Sequence, residues 1–140
     1  MDCFSRVLSP CAEFDSLLNL IEKQTYPACI VGLSHIHKAH WAASVCQKTG
    51  KTALLLTADD ASAVRLANDI NAFFGGEEKA VVYTQKDFCF RTEQVSSREY
   101  EHKRLSTLGR ILSGDATIVV SSISAAVQNT IPPEVYLERT

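Results

Sequence analysis

Short apolar runs alternate along this chain with segments whose apolar residues recur every three or four positions. The apolar runs are residues 28–31, 52–57, 80–83 and 117–120. The helically spaced segments are residues 12–24, 38–48, 60–74 and 97–112. Strands that are apolar on both faces are typical of parallel sheets covered by helices. The alternation therefore predicts an α/β fold in which a parallel sheet is flanked by helices.

Residues of the kinds that begin and end helices lie at the borders of these segments. Asp59 or Asp60 can cap the third helix, and Ser96 or Ser97 can open the fourth. Gly50 follows the second helical segment and predicts its end, because glycine readily adopts the left-handed conformation found after helices.

The chain divides into one domain and a tail. Residues 84–95 show no clean period and predict a loop, and residues 123–127 predict a short helical turn. Residues 131–140 contain two adjacent prolines and no periodic pattern. We therefore expect one domain over residues 1–128 and a linker over residues 129–140.

Composition and charge exclude several classes of protein. With 46% hydrophobic residues among 140, the chain is too apolar to be disordered. The 14 basic and 16 acidic residues create no overall positive field that would draw the chain to nucleic acid or an anionic membrane. No apolar run approaches the roughly 20 residues that span a bilayer, and acidic Asp2 stands where a signal peptide would be basic. We expect a cytoplasmic protein with no membrane partner.

The five cysteines are an odd number without a C-x-x-C pair, which argues against a disulfide framework or a zinc knuckle. Cys29 and Cys46 lie in apolar segments, where cysteine behaves as a small hydrophobic residue. No pattern near Cys3, Cys11 or Cys89 is typical of an activated nucleophile. We expect reduced thiols and no catalytic cysteine.

The residues after the first predicted strand have the spacing of the phosphate-binding loop G-x-x-x-x-G-K-[ST]. Gly32 and Lys38 keep two of its four fixed positions, but His37 replaces the second glycine and Ala39 replaces the hydroxyl residue. These changes remove the backbone nest for a phosphate and a ligand for magnesium. The fourth predicted strand also runs into two serines and not into the acidic pair of a second metal-binding motif.

We therefore expect a degenerate phosphate loop with no catalytic residue and no bound cofactor, in which Lys38 is the one group that could still attract an anion. Spacing alone leaves a second interpretation open, because a turn with a glycine and a lysine occurs between strand and helix in many α/β domains.

Two further clusters are interpreted as structural. His35, His37 and His40 could ligate a metal, but no cysteine or carboxylate shares their loop, so we expect a polar loop and no metal site. Trp41 is expected to pack. Five basic residues are interleaved with glutamates in the fourth helical segment and predict a solvated face. They are Arg98, His102, Lys103, Arg104 and Arg110.

Three stretches resemble one family of proteins. Residues 58–70 (ADDASAVRLANDI), 104–108 (RLSTL) and 117–124 (TIVVSSIS) are similar to the N-terminal part of bacterial transcription-repair coupling factors (Mfd), a region homologous to the excision-repair helicase subunit UvrB. The order of elements agrees over residues 14–135. The resemblance implies a RecA-like lobe of the UvrB domain 1A type whose nucleotide motifs have decayed, as His37 and Ala39 suggest.

The family resemblance implies a non-catalytic fragment of a larger ATP-dependent DNA translocase. Such a protein recognises stalled RNA polymerase and uses ATP and magnesium in a distant translocase. It contacts DNA and polymerase through other parts, and it recruits UvrA through a domain adjacent to this one. Only residues 87–103 separate the third strand from Arg104, too few for the DNA-clamping hairpin of UvrB. Two alternatives remain: the first lobe of an ATP-dependent DNA helicase or UvrB-type excinuclease subunit, and an unrelated small α/β binding protein.

Overall fold

Three of the four apolar runs form strands. The computed structural model describes residues 7, 8, 10–85 and 98–138. In chain order the helices are α1 (Ala12–Glu22), α2 (His35–Thr49), α3 (Asp60–Phe73), α4 (Arg98–Leu112), α5 (Ile123–Ala126) and α6 (Pro133–Glu138). The strands are β1 (Ala53–Thr57), β2 (Ala80–Tyr83) and β3 (Ile118–Ser122).

The strands form one parallel sheet in the order β1-β3-β2. Ile118 of β3 lies opposite both Ala53 of β1 and Ala80 of β2, so the three strands start in register. All five residues of the central strand β3 are buried. This arrangement confirms the predicted α/β fold with a parallel sheet and flanking helices.

Helices cover both faces of the sheet. On one face, small residues of α2 and α3 such as Ala39 and Ala67 let those helices pack closely on Ile118 and Val120. On the other face, α4 and α5 pack on Val119, Val81 and Tyr83. Burial on both faces explains why β2 and β3 are apolar nearly throughout.

A third apolar cluster joins α1 to α2. Phe14 is fully buried, and its ring meets that of Trp41 edge-on with the centroids 5.3 Å apart. The expectation that Trp41 packs is therefore confirmed. This cluster attaches helix α1 to the domain.

The borders of α2 and α3 agree with the sequence signals. Gly50 ends α2 with a φ of +65°, a conformation in which a side chain would be strained. Asp59 caps α3, because its carboxylate accepts a 2.7 Å hydrogen bond from the N–H of Ser62. This hydrogen bond and one from the Ser62 hydroxyl favour the charged carboxylate, so they lower the pKa of Asp59.

The prediction of a strand over residues 28–31 is wrong. These residues have no regular secondary structure, and all four are exposed, including Cys29, which was expected to be buried. Hydropathy identifies a run that could form a strand, but a strand also needs a neighbour to share its hydrogen bonds. Within the part of the chain that the structure describes, no strand lies beside this run.

The structure bears on three other predictions about helix borders and segments. Helix α2 begins at His35, earlier than the expected Lys38. Part of the predicted linker forms α6, whose Tyr136 hydroxyl lies 2.6 Å from where a Cβ on Gly109 would be. The turn predicted at residues 123–127 is confirmed as α5.

Several expectations fall on residues that the structure does not describe. They concern Cys3, Cys89, most of the predicted 84–95 loop, and the opening of the fourth helix at Ser96 or Ser97. Among the described residues, no helix has the length and apolar character needed to cross a membrane.

Candidate functional site

The positions of the degenerate phosphate loop form the start of α2. Gly32 has a φ of +90°, Ser34 occupies the N-cap position, and the helix begins at His35. The backbone N–H of Lys38 already donates to the Ser34 carbonyl at 3.1 Å. Two of the four residues between Gly32 and His37 are thus taken up by the helix, and the amide of Lys38 is not available to a phosphate.

His37 adds a side chain where the motif requires none. Its Nδ1 is hydrogen-bonded to the Ser34 hydroxyl at 3.1 Å. That hydroxyl makes no capping bond to the backbone of α2. An interaction between two side chains has therefore replaced the usual interaction between a capping residue and a free N–H group.

Ala39 faces the core. It is 0% exposed and belongs to the cluster that includes Ala43, Ala63 and Ile118. In an intact motif a hydroxyl at this position binds magnesium. Here the methyl group packs between α2 and the sheet, so this position serves the packing of the domain.

Lys38 lies beside an apolar groove. The groove is also lined by Ile30, Leu33 and Trp41, and Lys38 forms none of the ion pairs seen among the described residues. Its position in the first turn of α2 is the feature of an intact phosphate loop that this site retains.

The three histidines do not converge. His35 Nδ1 lies 3.2 Å from a carboxylate oxygen of Asp69 on α3, whereas the His40 ring stacks on Phe73 with the centroids 4.7 Å apart. His37 interacts with Ser34. Each ring thus has a different neighbour, and within the described ranges no group of three or more potential ligands is placed to hold a metal ion.

The carboxyl end of β3 carries serines with structural contacts. Ser121 is buried and its hydroxyl donates to the Tyr83 carbonyl at 3.0 Å, which links β3 to β2. The Ser122 hydroxyl accepts from the N–H of Ala125 at 3.2 Å and caps α5. Both hydroxyls are therefore used in contacts within the domain.

The prediction that Arg104 belongs to a solvated face is wrong. Arg104 is 3% exposed, and its guanidinium carbon lies 4.0 Å above the centre of the Tyr83 ring. Its Nη1 donates to the Thr84 carbonyl at 2.8 Å and to Gln128 at 3.3 Å. Arg104 shares a helix face with Leu108, and that spacing is the sequence signal that could indicate its burial.

The RLSTL pentapeptide therefore has a structural role in this domain. Besides Arg104, it contains Thr107, whose hydroxyl donates to the Val82 carbonyl of β2 at 3.2 Å. Both residues attach α4 to the edge of the sheet. Sequence reasoning found the pentapeptide by resemblance but not its role.

The fold and the site together define an α/β parallel-sheet domain in which residues 32–39, which have the spacing of a phosphate loop, are used for helix formation and packing, and residues 28–31 before them form no strand. Comparison with curated proteins finds similarity to the transcription-repair-coupling factor of Bacillus subtilis (strain 168), with 24% identity over 134 residues. The aligned region covers 95% of this chain but spans only 11% of the length of that protein. The match supports a distant relationship to that coupling factor.

The other two comparisons are negative: no family model matches the chain, and no solved structure matches it.

Proposed function

We propose that this chain is the non-catalytic N-terminal lobe of a protein of the transcription-repair coupling factor type. The observation that carries the proposal is the use of the phosphate-loop positions for structure, with Ala39 in the core and α2 beginning at His35. A loop of this kind has lost its free amides and its metal ligand, so nucleotide would gain little from binding there. The similarity to the Bacillus coupling factor supports the choice of family.

In this proposal the chemistry belongs to other parts of a longer polypeptide. A distant translocase uses ATP and magnesium, and other parts contact DNA and RNA polymerase. UvrA is recruited through the domain adjacent to this one, in the cytoplasm. The lobe described here supports that recruitment domain and itself holds no cofactor.

The first test is thermal unfolding of the chain in the presence of ATP and magnesium. A ligand at 100 times its Kd stabilises a protein by about 2.7 kcal/mol, which for a domain of this size raises Tm by about 9 °C. We expect no rise beyond that seen with sodium sulfate of matched ionic strength. A nucleotide-specific rise accompanied by hydrolysis would contradict the proposal.

The second test is capture by UvrA. We expect UvrA to retain the longer natural polypeptide and not the 140-residue chain, because the contact belongs to the adjacent domain. Retention of the short chain alone would place the UvrA contact within this lobe and contradict the proposal on that point.

One observation favours a second candidate, the first lobe of an ATP-dependent helicase or of a UvrB-type subunit. Lys38 is positioned in the first turn of α2 and forms no ion pair among the described residues, as a phosphate-binding lysine would require. Under this candidate the wild-type chain binds ATP and the Lys38→Met variant does not. Under the main proposal the two behave alike.

A further inference from the structure

The outer edge of β2 is closed by side chains of the two helices beside it. The Asn71 amide of α3 donates to the Ala80 carbonyl at 3.0 Å and accepts from the Ala80 N–H at 2.7 Å. The Thr107 hydroxyl of α4 donates to the next outward carbonyl, that of Val82. These contacts occupy backbone groups with which another strand would pair, so this edge is protected against strand addition.

The same two helices form a groove over the closed edge, and we call it the β2-edge groove. It has a volume of about 350 Å³, and β2 lies at its floor. Each helix contributes residues that are three or four positions apart and so share one face. They include Val64, Asn68 and Asn71 of α3 and Lys103, Ser106 and Arg110 of α4. Seven residues of helix rise by about 10 Å, which is the length of about three residues of extended chain.

Several hydrogen-bonding groups in the β2-edge groove are available to a partner. Alternate residues of a parallel strand direct their backbone groups to the same side, so the Val82 N–H points outward as the Ala80 N–H does. Among the described residues, the Val82 N–H makes no hydrogen bond. The side chains of Asn68 and Ser106 are exposed and likewise have no partner in that part of the chain.

The β2-edge groove carries a positive charge, although the whole chain has a formal net charge of -2. Arg110 Nη1 lies 3.0 Å from a carboxylate oxygen of Glu78, so these two charges balance. Lys103 forms none of the ion pairs seen among the described residues. The groove therefore presents hydrogen-bond donors and one uncompensated positive charge, and a carboxylate complements both.

We propose that the β2-edge groove binds an extended segment of another protein, in which an aspartate or glutamate stands next to an apolar residue. The acidic side chain accepts hydrogen bonds from donors of the groove such as Lys103 and the Val82 N–H. The apolar side chain packs on Val64, which is 40% exposed. Because the edge is closed to strand pairing, the segment binds mainly through its side chains.

The charge of the groove favours a peptide over a nucleic acid. Affinity for nucleic acid comes from contacts with several phosphates, and this groove has a single uncompensated cation, Lys103. The inference does not rest on the proposed function, because it requires neither UvrA recruitment nor the loss of nucleotide binding.

The test is an NMR titration of the isotope-labelled 140-residue chain with a blocked tetrapeptide of alternating leucine and glutamate. We expect the amide resonances of Val82, Asn68 and Ser106 to shift. The Val82 proton should move downfield, because its N–H gains an acceptor. The matched peptide with glutamine in place of glutamate should bind at least about fivefold more weakly, since hydrogen bonds to charged groups are stronger than those to neutral ones.

Two charge-reversing variants separate contact in the groove from overall charge. Lys103→Glu should weaken binding of the glutamate peptide at least about tenfold, because it brings like charges together. Lys51→Glu, at an exposed lysine outside the groove, changes the net charge equally and should weaken binding less than about twofold. Asn68→Ala should weaken binding about threefold through the loss of its amide and leave Tm unchanged.

Five results would overturn the inference. The first is a titration in which the Val82 amide does not shift. The second is equal binding of the glutamate and glutamine peptides, and the third is an equal loss of affinity in Lys51→Glu and Lys103→Glu. The fourth is a set of shifts at the same amides that grows with protein concentration without peptide, which would assign the groove to a second copy. The fifth is tighter binding of single-stranded DNA at these amides. None of these measurements involves UvrA or ATP, so a failure of the proposed function is detected separately.

Discussion

Restoring the hydroxyl of the phosphate-loop motif should destabilise this domain without creating a nucleotide site. Ala39 is fully buried where α2 packs on the sheet, and Ala39→Thr adds a methyl and a hydroxyl to that contact. Overpacking of a tight core costs about 1–3 kcal/mol, and threonine is about 0.5 kcal/mol less favourable than alanine in a helix. We therefore expect a loss of about 1.5–3.5 kcal/mol in the free energy of unfolding.

Thermal and urea unfolding measure this loss. For 140 residues, about 2 kcal/mol corresponds to a fall of about 7 °C in Tm, and the urea midpoint should fall with an unchanged slope. Ala42→Thr is the matched control, because Ala42 lies on the same helix but is only partly buried. The control should lose little beyond the propensity difference of about 0.5 kcal/mol.

The double variant His37→Gly, Ala39→Thr tests whether a chain with the complete motif binds nucleotide. It restores the motif in sequence, yet position 39 still faces the core, so we expect no gain of ATP-dependent stabilisation. An Ala39→Thr variant as stable as the wild type, or a double variant that binds ATP, would refute the view that position 39 serves packing.

Three further predictions follow from individual contacts. Arg104→Lys keeps the charge but loses the planar group that stacks on Tyr83, and should cost about 1–2 kcal/mol in urea unfolding; an unchanged midpoint would contradict a role for stacking. Asn71→Ala should cost about 1–3 kcal/mol by freeing the edge groups of β2, and exposed Asn68→Ala should cost nothing measurable. Because the pKa of Asp59 is lowered in the folded state, its contribution to stability is present above the ordinary carboxyl value of 3.8 and is lost as the pH falls below it. Asp59→Asn should keep the cap and flatten that part of the pH profile of Tm, and an unaltered profile would contradict this assignment.

Local signals in the sequence predict several helix borders and all three strands of the sheet. Asp59 and Gly50 mark the borders of α3 and α2 because capping depends on a few neighbouring backbone groups. The runs that became β2 and β3 were identified because a strand buried on both faces is apolar throughout.

Predictions that depended on distant neighbours were less successful. Residues 28–31 have the composition of a strand, but strand formation requires a partner that no local pattern reveals. The charge of Arg104 predicts a position in solvent, whereas the Thr84 carbonyl and the Tyr83 ring provide a buried environment for it. Those two groups lie 20 and 21 positions away in the chain, and the fold alone brings them together.

The sequence by itself determined the alternation of strands and helices and the loss of the phosphate-loop consensus at His37 and Ala39. Only the tertiary structure decided that Ala39 lies in the core, that the β2 edge is closed by Asn71, and that the β1 edge is open beside residues 28–31. The physical reason is that helix caps and hydrophobic periods depend on residues within a few positions of each other. Strand pairing and burial depend on which distant segments meet, and that choice is made by the packing of the whole domain.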